Sequence, residues 1–188
     1  SWLRKGQTPT TNSLRLPRQT LAGKLSARSM MTPAGNWDPI PVEGEKNLLV
    51  ILVQFSDRSL RTVPLSWQAS IFSTTPTARS VSNFYTDNSF GKLSIAGVSH
   101  TQSNLAGLVT VTVPMDHPDW SIYSPDQEYE ETWVNAALAE AANVVDFNAL
   151  DTNADGYLRP SEVVVYLVVA GYEMSESYNS PSIWGHAY

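Results

Sequence analysis

The run Leu48-Leu-Val-Ile-Leu-Val-Gln-Phe55 restricts the possible folds of this chain more than any other feature. It lacks the apolar-polar alternation of a strand with one wet face, so both of its faces must be covered. A strand meets that demand in the middle of a sheet with other layers packed on it. The run is interrupted by Gln54 and is far shorter than the about 20 residues of a membrane-spanning helix, so no membrane span is expected. A second run, Glu162-Val-Val-Val-Tyr-Leu-Val-Val-Ala-Gly171, is rich in β-branched residues and reads as another buried strand.

Between these runs the pattern alternates between helix and strand. Residues 67–72 and 78–88 suit short helices, the second ending before Gly91. Residues 92–98 and 108–115 suit strands, the latter with clean Val/Thr alternation, and the two are expected to pair as a hairpin or meander. A longer helix follows, with Ser124 as N-cap, Pro125 in its first turn and Gln127 completing a capping box. Tyr129, Trp133, Ala137, Leu138, Ala141, Val144 and Val145 form an apolar stripe at helical spacing and are read as core. The order predicts an α/β (α+β) fold, a mixed sheet with packed helices; which strands run parallel stays open.

With 188 residues, 42% of them hydrophobic, the chain can bury one sizeable core. A net charge of -6 and a pI near 4.9 leave no basic footprint for a phosphate backbone, so nucleic acid is not an expected partner. There is no Cys, which removes disulfides, thiolate metal sites and a cysteine nucleophile. Arg4, Lys5, Arg15, Arg18, Lys24 and Arg28 hold half of the 12 basic residues, and residues 1–45 lack a sustained apolar period. That segment is expected to be a propeptide tail, a leader or an extended arm lying on the domain, with Trp2 and Trp37 as docking points, and residues 46–188 the folded part. The first 25 residues lack a signal peptide's apolar core, so the numbering is expected to start inside a longer precursor.

The motif with the clearest chemistry is Asp151-Thr-Asn153-Ala-Asp155-Gly156-Tyr157-Leu-Arg159-Pro-Ser-Glu162, which matches D-x-[DN]-x-[DN]-G-x5-E at every defined position. A hard cation such as Ca2+ takes oxygen ligands, and short Asp and Asn side chains at alternate positions converge as the backbone curls. The expected ligands are Asp151, Asn153, Asp155, the Tyr157 carbonyl and a bidentate Glu162, with Gly156 making the turn and Arg159 leaving its position to water. An Asx-rich turn without an ion is the competing reading. Glu162 opens a strand rather than a helix, so an EF-hand sensor is not expected; the loop is read as a staple between helix and strand.

Catalytic motifs are missing. His100, His117 and His186 are too far apart in sequence for an H-E-x-x-H pair, so no zinc ligands and no catalytic residues are assigned in this chain. His117 and His186 read as surface or hydrogen-bonded histidines. There is no G-x-S-x-G elbow and no glycine-rich phosphate loop. Glu173 and Glu176 follow a strand end and read as a solvated acidic loop or further calcium ligands rather than a glycosidase pair.

Three stretches in order resemble the immune inhibitor A family of secreted bacterial zinc metallopeptidases. They are Leu48-Leu-Val-Ile-Leu-Val-Gln-Phe-Ser-Asp57, then Val81-Ser-Asn-Phe-Tyr-Thr-Asp-Asn-Ser-Phe-Gly-Lys-Leu93, then Val145-Asp-Phe through the acidic loop to Ala170-Gly-Tyr-Glu173 and Ile183-Trp-Gly-His186. The resemblance implies a secreted, zincin-like endopeptidase acting on protein or peptide substrates, of which residues 46–188 form an incomplete, sheet-bearing part. In such enzymes the zinc helix follows the tryptophan-histidine segment; with the chain ending at Tyr188, Zn2+ is expected on a missing C-terminal part or a second polypeptide. The chain alone is then expected to be inactive. The alternative is a non-catalytic, calcium-stabilised binding or interaction module.

Overall fold

A computed structural model describes residues 14–15, 43–119, 127–174 and 179–183, with backbone alone for 14–15 and 127–131. Its centre is the strand foreseen from the apolar run. Leaving β1 (Leu14–Arg15) for later, this strand is β2 (Gly44–Phe55), and Leu49, Val50, Ile51, Leu52 and Val53 have no exposed surface at all. Each such side chain contributes about 1.5–3 kcal/mol relative to exposure.

Every strand paired with β2 runs parallel to it. β3 (Leu93–Gly97) pairs with its first half, from Gly44 opposite Leu93 to Leu48 opposite Gly97. β4 (Leu108–Val113) pairs with its second half, from Val50 opposite Leu108 to Phe55 opposite Val113. β6 (Val164–Val169) pairs along residues 48–53. The Leu48 carbonyl accepts from the Val98 N–H at 3.1 Å, and the Val50 N–H donates to the Gly107 carbonyl at 2.7 Å. Residues two apart on a strand direct their backbone groups to the same edge, so β3 and β4 share one edge of β2 and β6 takes the other.

The expected hairpin of residues 92–98 with 108–115 therefore does not form. The two strands lie end to end, and residues 99–106 leave the sheet and return beside their point of departure. That return is tight: the Gly107 N–H donates to the Val98 carbonyl at 2.7 Å, and a Cβ on Gly107 (φ +78°) would lie 2.5 Å from Phe72 Cζ. Glycine alone combines that backbone with that space. The Gln102 amide then closes the outer edge of β4, donating to the Thr110 carbonyl and accepting its N–H, both at 2.7 Å.

Helices cover both faces. α1 (Pro64–Phe72) starts three residues earlier than expected because Pro64 suits a first helical turn. α2 (Val81–Asn88) starts three residues later, where Ser80 Oγ accepts the Asn83 N–H at 3.0 Å. α1 covers Val50, Leu52 and Leu108 with Ile71, Phe72 and Trp67. α3 (Gln127–Ala141) covers the opposite face, where Trp133, Ala137, Leu138 and Ala141 meet Ile51, Val53, Phe55, Val109 and Val111. Val145 is also buried, although the helix has ended by then. Helices on opposite faces are what crossovers of one hand produce when the chain moves first to one side of β2 and then to the other. The expected caps Ser124 and Pro125, and the side chains of Gln127 and Tyr129, lie outside the described residues.

The second apolar run is strand only from Val164, and Glu162 lies in the preceding turn. Nor is it a fully buried strand: Val164 and Tyr166 are exposed, and of that face of β6 only Val168 packs against the cluster under α1. After α3 come α4 (Phe147–Leu150), capped by Asp146, and β5 (Tyr157–Leu158), which pairs antiparallel with β1. β7 (Tyr172–Glu173) and β8 (Ser182–Ile183) pair in parallel. The fold is α/β, and over the described strands its main sheet is parallel rather than mixed.

Candidate metal centre

Residues 151–162 curl between α4 and β6, with Asp151, Asn153, Asp155 and Glu162 bonded to the loop's own backbone amides. Asp151, at the end of α4, accepts the Asp155 N–H at 3.1 Å on one oxygen and the Gly156 N–H at 2.8 Å on the other. Asn153 Oδ1 accepts the Asp155 N–H at 2.9 Å, and Asp155 Oδ1 the Tyr157 N–H at 2.8 Å. Two left-handed residues, Ala154 (φ 55°) and Gly156 (φ 82°), tighten the turn. Glu162, 7% exposed, closes it: Oε1 accepts the Thr152 N–H at 2.8 Å, the Thr152 hydroxyl at 2.9 Å and the Asn153 N–H at 3.2 Å, while Oε2 accepts the Arg159 N–H at 3.1 Å.

The loop is fastened to the core at both ends. Phe147, Leu158 and Val163 are buried in the cluster beneath α3, and Asn47 of β2 donates its side-chain amide to the Glu162 carbonyl at 3.1 Å. Arg159 was expected to stand aside for water. Instead its guanidinium grips Asp155 Oδ2, with Nε at 3.1 Å and Nη2 at 2.8 Å. Burial by itself raises the Asp155 pKa, but the Arg159 hydrogen bonds, the Tyr157 N–H and Asn153 outweigh it and hold the carboxyl below its ordinary value.

The donor set consists of oxygens throughout, which fits a hard cation. Among the described residues no three His, Asp or Glu side chains stand close enough to hold a metal ion by themselves. A cation here would need Asn153 Oδ1 and the Tyr157 carbonyl besides the three carboxylates, with Arg159 competing for Asp155 Oδ2.

A second polar cluster lies at the carboxyl ends of β2 and β4, whose outgoing connections pass over opposite faces of the sheet. Open α/β sheets bind ligands at such a switch point. Ser56 Oγ donates to Asp116 Oδ1 at 2.6 Å, and Asp57 Oδ1 accepts the His117 N–H at 2.8 Å. Asp119 accepts the Ser180 hydroxyl and, at 3.0 Å, the Ser182 N–H, tying the β7–β8 ribbon to this end. Arg58 and Arg61 lie over the Tyr172 ring at 5.5 and 5.0 Å.

His117, read from sequence as a surface or hydrogen-bonded histidine, is not on the surface. It is 7% exposed, its ring meets Phe55 edge-on at 4.7 Å, and a Cβ on Gly171 would strike Nε2 at 2.5 Å. Neither ring nitrogen has a well-aligned hydrogen-bond partner. Burial pushes its pKa below the ordinary histidine value, opposed by the nearby Ala170 carbonyl and by Asp57 and Asp119, and assisted by Arg58. Asp57, Asp116 and Asp119 were not singled out as a group from sequence; the available signal was that each follows the end of a strand or its turn. Glu173 lies in β7, half-buried. Glu176 and His186 lie outside the described residues, as do Trp2 and Trp37.

Fold and loop together define a parallel α/β layer carrying an acidic twelve-residue loop with the D-x-[DN]-x-[DN]-G-x5-E pattern. Comparison with protein-family models, curated proteins and solved structures finds no match for this chain.

Proposed function

We propose that this chain is a calcium-stabilised, sheet-bearing part of a secreted zinc endopeptidase of the immune inhibitor A type, zincin-like in fold, with zinc and the catalytic groups on a second polypeptide or segment. The observation that carries the calcium part is the loop of residues 151–162, whose Asp151, Asn153 and Asp155 oxygens accept the loop's own backbone N–H groups. The ligands are those three, the Tyr157 carbonyl and Glu162. A parallel sheet backed by α3 agrees with the peptidase part, as do the ordered motifs of the sequence. Zinc in such an enzyme polarises the scissile carbonyl and activates water; this chain supplies the sheet against which those groups are held.

Calorimetric titration of the purified chain with calcium, in parallel with mass spectrometry for a co-purifying polypeptide containing H-E-x-x-H, tests both parts. Calcium uptake and such a partner are expected. A chain that takes up no calcium, or one that cleaves casein with no partner present, would overturn the corresponding half.

A second reading, a calcium-stabilised interaction module, draws on one patch of the surface. Phe84, Tyr85 and Phe90 are exposed on and just after α2, Phe90 at 94%. Exposed aromatic clusters mark contact surfaces more often than scattered apolar residues do. Pull-down of a protein lost in a Phe84→Ser, Phe90→Ser double variant, with no peptidase partner found, favours this reading.

A further inference from the structure

Tyr157 and Leu158 are the seventh and eighth residues of the acidic loop and also make up β5. The Tyr157 N–H donates to Asp155 Oδ1, toward the interior of the curl. Successive residues of a strand turn their backbone groups to opposite edges, so the N–H and C=O of Leu158 face outward. On that side β1 is paired, antiparallel, with Leu14 opposite Leu158 and Arg15 opposite Tyr157. β5 thus has the loop interior on one edge and the N-terminal segment on the other. A ribbon with two residues on each strand is marginal by itself, so its persistence depends on how firmly the loop holds β5.

We propose that a divalent cation in the loop locks the N-terminal segment onto β5, so that cation binding and docking of residues 14–15 reinforce each other. The inference rests on the calcium reading above. The link is conformational freedom. A cation held by Asp151, Asp155 and the Tyr157 carbonyl immobilises the loop in advance, and the segment then pairs with a strand that has less freedom left to lose. Coupling of this kind is reciprocal: the factor by which the cation strengthens docking is the factor by which docking strengthens cation binding.

Trypsin cleavage after Arg15 in the full chain reads the docking. Cleavage follows the population of the opened segment when opening is fast. Calcium at 1 mM, against chelator, is expected to slow this cut about 5-fold or more, the lower end of typical couplings. A free peptide of residues 10–20 in the same tube corrects for any effect of calcium on trypsin. Leu14→Pro removes a backbone N–H from the ribbon; it is expected to abolish the slowing and to weaken calcium affinity, measured by calorimetry, by the same factor. No calcium uptake by the unaltered chain refutes the calcium reading and this coupling with it. Uptake with an unchanged Arg15 cleavage rate, or with equal affinity in L14P, refutes the coupling alone.

Discussion

Glu162→Gln separates two roles that the loop assigns to one carboxylate. The side chain accepts four hydrogen bonds, three on Oε1 from Thr152 and Asn153 and one on Oε2 from Arg159. Glutamine has the same shape but a single acceptor oxygen. Keeping that oxygen toward Thr152 and Asn153 leaves the Arg159 N–H against an NH2 group, and an unsatisfied donor costs about 1–3 kcal/mol. The other three bonds change from charge-assisted to neutral; since they share one oxygen, about 1 kcal/mol in all is a fair allowance. The expected loss is therefore about 3 kcal/mol without calcium, which corresponds to about 6–12 °C in melting temperature for a chain of this size. Thermal unfolding in chelator measures it. A variant within about 0.5 kcal/mol of the original, the usual range for a neutral surface change, would refute the carboxylate as the hub that closes the loop. Repeating the scan in calcium isolates the second role. At 100 times its Kd, calcium adds about 2.7 kcal/mol to a chain that binds it. If Glu162 is also a ligand, the gap between the two proteins widens in calcium; a constant gap would leave the hub intact and remove Glu162 from the ligands.

Three further outcomes follow from the same contacts. Arg159→Gln takes the guanidinium off Asp155 Oδ2 and removes a positive charge beside the cation; for a doubly charged ion at about 6 Å in water-like dielectric this is about 1.4 kcal/mol, so calcium affinity is expected to rise about 10-fold, and weaker binding would contradict the competition. Burial holds the folded-state pKa of His117 below about 6.5, the unfolded value, so below that pH the unfolded chain gains a proton that the folded chain refuses. Stability is then full above about pH 6.5 and falls as pH drops toward the folded pKa, by at most about 1.4 kcal/mol per unit. His117→Gln should flatten that part of a urea-derived stability profile, and an unchanged slope would place the titration elsewhere. Gly107→Ala puts a Cβ into Phe72 and into a left-handed backbone, and is expected to cost about 2–4 kcal/mol in denaturant unfolding; a neutral effect would mean the re-entry into β4 has slack.

The residues that were legible in advance are those whose message is local. Leu49 to Val53 announced a strand covered on both faces because no polar residue interrupts them, and the structure buries all five completely. Trp133, Ala137, Leu138 and Ala141 announced their core face by helical spacing alone. In residues 151–162 the spacing of Asp and Asn was enough to foresee a tight curl, since an Asx side chain reaches the amides within a few residues of it.

What the sequence could not carry was the choice of partner and direction. The Val/Thr alternation of β4 specifies two faces and says nothing of which strand lies alongside, so β3 and β4 looked like a hairpin; the crossover through α1 and α2 instead sets both parallel to β2 and end to end on one edge. His117 sits among polar neighbours in sequence, yet Phe55, Gly171 and the β7–β8 ribbon, all distant along the chain, close over it. Arg159 at the ninth loop position carries no sign that it will turn back to Asp155, and nothing in residues 14–15 points to β5. Spacing and side-chain character act over a few residues and are visible in one dimension. Strand order, the burial of a histidine and the pairing of an arm are decided by which distant surfaces meet, and only the assembled tertiary structure determines that.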